Sequence, residues 1–127
     1  MAIAQRRSAR RPTSAVLNNY RKKKKRDFGN DFIPVKIAKV RKKAIRTMGG
    51  SKKMRLMDSD QINVTDTNTG KTKIVKAITV KENPANPNYV RMNIMTKGTV
   101  VDTELGLVKI TSKPGQHGML NGILIKK

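Results

Sequence analysis

A mainly β fold, a small antiparallel barrel-like body carrying a long basic extended N-terminal arm, is predicted by three observations. From Met54 onward the chain is a series of short runs rich in β-branched residues, parted by turn residues with no helical stretch between them. Closely spaced strands of this kind argue for an antiparallel sheet curled on itself. Positive charge collects at the other end: residues 1–55 hold 19 Lys or Arg against 2 acids, Asp27 and Asp31, and residues 56–127 hold 10 against 6, so +17 of the formal +21 lies in the first part. Length is the third constraint, because removing a basic arm of about 45–50 residues leaves roughly 75, near the lower limit for a single unaided core. The expected division is a basic extension over residues 1–45, disordered when free, and a nucleic-acid-binding, β-barrel-like body over residues 46–127.

Within the arm, residues 5–26 are polar and basic around Pro12 and show no apolar stripe. The run Arg21, Lys22, Lys23, Lys24, Lys25, Arg26 repels itself, so order is expected only when a polyanion neutralises it. Residues 32–46 are expected to be extended, since Ile33, Val35, Ile37, Val40 and Ile45 are β-branched. Gly49 and Gly50 mark a turn, and strands are predicted over 54–57, 62–65, 73–80, 99–103, 107–111 and 119–125. Residues 66–70 close one hairpin, Glu104, Leu105 and Gly106 a tighter one, and Pro114, Gly115 and Gly118 break the chain before the last strand. The stretch 82–88, with Asn83, Pro84, Asn86 and Pro87, reads as an irregular loop.

Apparent catalytic signals weigh little. Gly70, Lys71 and Thr72 resemble the tail of a phosphate-binding P-loop, but its first glycine would fall at Thr65 and a strand, not a helix, is predicted to follow. His117 is the only histidine, and with Ser112 and Asp102 it makes no more than the nominal membership of a triad. Asp58 and Asp60 bracket a strand end, and no metal site, cofactor or small-molecule substrate is expected. With no cysteine there is neither disulfide framework nor thiolate metal site. No run approaches a membrane span, and residues 1–11 lack the apolar stretch of a secretory signal, so the expectation is a cytoplasmic protein with no membrane partner.

Cations are what remain. Each phosphate contacted releases counterions and so rewards every added Lys or Arg. The candidate RNA-binding residues are Arg6, Arg7, Arg10 and Arg11, then Arg21, Lys22, Lys23, Lys24, Lys25 and Arg26, then Lys42, Lys43, Arg46, Lys52, Lys53 and Arg55 around the diglycine, and Arg91, Lys97 and Lys113 along the sheet region. The aromatic residues are Tyr20, Phe28, Phe32 and Tyr89, with no Trp, so a base-stacking platform fits less well than phosphate and shape recognition.

Longer motifs are more specific. Residues 82–91, Glu-Asn-Pro-Ala-Asn-Pro-Asn-Tyr-Val-Arg, continue through Asn93, Ile94, Thr96, Lys97 and Gly98. Thr103, Glu104 and Gly106 precede Thr111, Ser112, Lys113, Pro114, Gly115 and Gln116, followed by Gly118, Asn121, Leu124 and Ile125. In order and spacing these resemble the family of ribosomal protein eight of the small subunit, archaeal and eukaryotic type. Upstream, Arg46, Gly49, Gly50, Lys53, Arg55 and Leu56 resemble its diglycine segment, and Arg6, Arg10 and Thr13 its basic amino-terminal motif. Met92, Lys113 and His117 depart from the family pattern, as do Ser14 and Ala15, which stand where glycines are usual. A bidentate guanidinium is therefore absent at Lys113, and no cation at all is offered at Met92. The compact form, without a large insertion, is similar to the archaeal branch.

That resemblance implies a non-enzymatic structural constituent of the small ribosomal subunit, bound to small-subunit ribosomal RNA beside neighbouring ribosomal proteins, and supporting translation and subunit assembly. The residues alone reach a β body with a polycationic arm and do not choose RNA over DNA. A chromatin-type architectural protein is the alternative, against which stands the lack of a helical DNA-reading motif or an assignable apolar wedge.

Overall fold

The computed structural model describes Ala4 and residues 7–125. By backbone contacts the chain forms two compact units, Met1–Phe32 and Ile33–Lys127.

In the first unit the structure is local. Arg10 bridges Val16 in antiparallel fashion, closed by hydrogen bonds from Leu17 N to Ala9 O (2.8 Å) and from Ser14 N to Arg11 O (2.9 Å). Ser14 sits at the tip with φ of 65°, the left-handed region in which glycine carries no Cβ penalty. A short 3-10 turn, Lys25–Asp27, ends the basic run, and Asp27 Oδ2 accepts a hydrogen bond from Lys24 N–H (3.2 Å).

Among the described residues the second unit holds nine strands: β1 Val35–Lys36, β2 Arg41–Arg46, β3 Lys52–Asp58, β4 Gln61–Thr65, β5 Thr72–Glu82, β6 Ile94–Met95, β7 Val100–Thr103, β8 Gly106–Ile110 and β9 Asn121–Leu124. Two one-turn helices, α1 Asn88–Arg91 and α2 Pro114–His117, interrupt them. Strands β4-β5-β7-β8-β9 form a closed barrel, and β2-β3-β1-β6 a second, four-stranded sheet. The fold is mainly β, with the predicted barrel. Its sequential pairs are antiparallel, and the closing pair, β4 with β9, is parallel. An odd number of alternating strands leaves its first and last pointing the same way, so five can close only so.

Period-two alternation decides which side chains fill the barrel. Ile62 and Val64 of β4, Val75, Ala77 and Val80 of β5, Val101 of β7, and Val108 and Ile110 of β8 are buried, and Leu56, Met95, Leu120 and Val35 join them in one core. All are aliphatic and medium-sized, which suits a narrow barrel. Gly122 lets β9 approach: a Cβ there would overlap the Val108 side chain and stand 3.1 Å from Lys109 O.

Three features differ from the sequence expectation. Residues 33–45, expected in the extension, lie in the second unit, because Val35 is only 1% exposed and β2 pairs with β3 along six residues. The segment expected simply to break the chain before the last strand forms α2, with Pro114 at its start and Gly118 just past its end at φ of 69°. Both residues suit those positions, since the proline lacks an N–H that the first turn leaves unpaired and the glycine tolerates the left-handed cap. Last, β6, two residues long, carries too little pattern to predict, although Met95 and Ile94 are each 1% exposed, whereas β1 falls within the stretch expected to be extended.

Candidate nucleic-acid interface

Cationic residues gather in two places, described separately. In the first unit Arg7, Arg10, Arg11, Lys22, Lys23, Lys24, Lys25 and Arg26 are exposed, and Arg6 lies outside the described residues. Arg10 Nη1 donates to Ser14 O at 3.0 Å, which steadies the turn. Arg21 is half-buried against Asp27, with Nη2 and Oδ1 3.4 Å apart, and its guanidinium lies 5.1 Å from the Tyr20 ring centroid. Sequence reasoning missed this pairing of cation and aromatic face, though their adjacency was the available signal.

In the second unit the strongest concentration is the β2–β3 hairpin. Its two strands, Arg-Lys-Lys-Ala-Ile-Arg and Lys-Lys-Met-Arg-Leu-Met-Asp, carry seven cations and one carboxylate. Asp58 is taken by Arg41, at 2.8 Å from Nε and 2.7 Å from Nη2. Register then sets like charges directly opposite one another: Lys43 faces Arg55, and Arg46 faces Lys52. Cross-strand neighbours stand about 5 Å apart at Cβ, and like charges there are destabilising. Their repulsion is on the order of 1 kcal/mol in water and more where water is excluded. The turn that holds this register runs from Thr47 to Ser51, whose carbonyl accepts from Thr47 N–H (2.7 Å) and Thr47 Oγ1 (3.0 Å).

Individual positions differ. Lys42, Lys43, Arg46, Lys52 and Lys53 are exposed, and Lys53 Nζ donates to Gln116 Oε1 at 3.2 Å, tying the hairpin to α2. Gly118 completes that contact, because a Cβ there would meet Met54 Cβ at 2.8 Å. Arg55 is buried. Arg91, Lys97 and Lys113 are exposed and scattered, at the end of α1, in the turn before β7 and at the start of α2. The structure thus places the six candidates around the diglycine on one hairpin, with Lys113 at the start of the helix packed against β3 and Arg91 and Lys97 on other elements.

The asparagine-rich loop is built from its own side chains. Buried Asn83 donates through Nδ2 to Ile94 O (3.0 Å) and accepts at Oδ1 from Ala85 N–H and Thr96 Oγ1, each at 3.0 Å. Asn86 Oδ1 accepts from Asn88 N–H at 2.9 Å, and Asn93 Oδ1 from Val80 N–H at 3.2 Å. Asparagine suits such positions because one side chain offers both a donor and an acceptor to the backbone.

The nominal triad residues have other partners. Ser112 Oγ donates to Met119 O (3.1 Å) and accepts from Asn121 N–H (2.9 Å), and His117 Nδ1 accepts from Lys113 N–H (3.1 Å). Asp102 lies 3.6 Å from Lys81 Nζ. Gly70, at φ of 66°, closes the β4–β5 hairpin, where Asp66 accepts from Asn68 N–H at 3.0 Å and Thr69 Oγ1 at 3.1 Å. Among the described residues no group of three or more His, Cys, Asp or Glu is placed to hold a metal ion, and no helix is long and apolar enough to cross a membrane.

Comparison with known proteins adds a further finding. The family model described as Ribosomal protein S8e matches residues 4–125. The chain is 49% identical to the small ribosomal subunit protein eS8 of Methanobrevibacter smithii over 125 residues, covering 98% of this chain and 100% of that protein. It is 50% identical to the protein of the same name from Methanocella arvoryzae, over 93% of this chain and 94% of that one. The eS8 protein of Staphylothermus marinus is 45% identical, with both chains covered in full.

Proposed function

This chain belongs to the ribosomal protein S8e family, and from that premise we propose that it is a structural, non-catalytic constituent of the small ribosomal subunit in the cytoplasm of an archaeal cell. It binds small-subunit ribosomal RNA beside neighbouring ribosomal proteins, and in doing so supports subunit assembly and translation. The observation that carries the RNA-binding role is the β2–β3 hairpin, where seven cations share one carboxylate and two like-charged pairs stand opposed. A hairpin so arranged is relieved by an external polyanion. Recognition then rests on phosphates and helix shape, since cations of this density position a protein on RNA without reading base edges.

The basic extension is the second element of the proposal. Residues 1–32 show little periodic apolar content, and the run 21–26 repels itself, so the free chain keeps a folded body and an unfolded arm that orders on RNA. There it screens phosphate repulsion where RNA helices pack closely.

Hydrogen exchange on the free protein and on assembled small subunits tests the reading. Amides of the barrel strands should be protected in both states, and those of residues 7–32 only in the subunit. An arm already protected in the free protein, or one that stays open after assembly, contradicts it.

A further inference from the structure

We infer that Arg55 and Lys43, opposed across β3 and β2, form a seat for a single phosphate group of the RNA backbone. The seat presupposes the RNA-binding role proposed above and gives it a specific place.

Arg55 is 9% exposed, and its Nε is closed off from solvent with no hydrogen-bond partner. Its terminal nitrogens make no hydrogen bond among the described residues either, and they are not closed off as Nε is. The side chain is therefore socketed with its tip open. A guanidinium that serves only the fold ordinarily donates to a carbonyl or a carboxylate, because a buried donor left unmade is costly. Here the carboxylate on the same hairpin, Asp58, is held by Arg41. Directly opposite Arg55 stands another cation, exposed Lys43, and two residues along β3 lies Lys53, held by Gln116.

What satisfies this arrangement is one anion with several oxygens. The planar fork of Arg55 matches two oxygens at once, Lys43 adds a point charge, and an anion between them turns their mutual repulsion into shared attraction. A carboxylate from another protein has the right charge, but the excess of seven cations to one acid along the hairpin favours a polyanion.

Salt titrations of the full-length chain on a fragment of small-subunit ribosomal RNA test the seat, with Arg55→Gln, Arg55→Lys and Lys43→Gln as variants. Arg55→Gln should weaken binding about ten-fold or more and reduce the logarithmic salt slope by about 0.7 to 0.9. Arg55→Lys should keep the slope while losing affinity, since the charge stays and the fork goes. Lys43→Gln, at an exposed position, should lower the slope with the melting temperature unchanged or higher, since it removes a like charge facing Arg55. Thermal unfolding of the free protein supplies a second readout: replacing an unpartnered buried cation should leave the melting temperature of Arg55→Gln unchanged or higher. A parent-like slope for Arg55→Gln and Lys43→Gln overturns the seat, as does a clear fall in melting temperature for Arg55→Gln with Lys43→Gln silent on RNA. Weakened incorporation into subunits with an unchanged slope on bare RNA also overturns it, in favour of a protein carboxylate. If the parent chain itself binds RNA with no salt dependence, it is the RNA-binding role that fails.

Discussion

Changing Arg21, Lys22, Lys23, Lys24, Lys25 and Arg26 together to Gln is expected to weaken binding to a ribosomal RNA fragment about equally for different sequences and to flatten its salt dependence. Each phosphate contact removed takes about 0.7 to 0.9 from the logarithmic slope, so a cluster fully engaged accounts for about four to five units. Arg21 already shares its charge with Asp27 at 3.4 Å, which places the expected loss nearer five contacts than six. The melting temperature of the barrel should hold, because none of the six side chains belongs to the core. Titrations of parent and variant at several salt concentrations measure the effect. A cluster that serves only solubility leaves the slope as it was and lowers the saturating concentration of the protein instead.

On stability, Gly122→Ala should produce the largest loss from a single methyl group. Its Cβ would overlap Val108 from β8 and approach Lys109 O to 3.1 Å, with Ile62 of β4 at 3.6 Å on the other side. Neither neighbour has room to yield, because Val108 and Ile62 are both fully buried. Overpacking of this kind costs about 1–3 kcal/mol, which for a body of this size lowers the melting temperature by roughly 5–20 °C. Gly115→Ala is the matched control: nothing lies within 4 Å of its added Cβ, and thermal unfolding should barely change. Equal melting temperatures for the two variants would mean that β9 does not close against β8 and β4 as tightly as described.

How much of this was legible beforehand depended on where the pattern is local. Strand β4 was readable because Ile62 and Val64 alternate with Asn63 and Thr65, and the alternation is the burial pattern itself. Strand β2 was legible only as extended chain, since its four cations mask any alternation and its pairing with β3 is fixed by the turn at Thr47–Ser51. The same turn decides that Lys43 meets Arg55. Composition around the diglycine pointed to a basic cluster, whereas the face-to-face pairing of like charges and the burial of Arg55 depend on register. Residues 33–45 are polar enough to read as arm, yet they fall in the second unit, where Lys36 pairs with Asp58 of β3 and Val35 with Met95 of β6. The cap signals at Pro114 and Gly118 were present in the chain and simply describe one helical turn better than a break.

The most direct test of the central claim, that this chain meets RNA through its basic arm and the β2–β3 hairpin, is a map of RNA crosslinks along the protein in assembled small subunits. Crosslinks are expected within residues 6–26 and 42–55, with the β4–β5 turn around Asp66–Gly70 largely free of them. Crosslinks concentrated on that turn, with none on the arm or on the hairpin, would contradict the account.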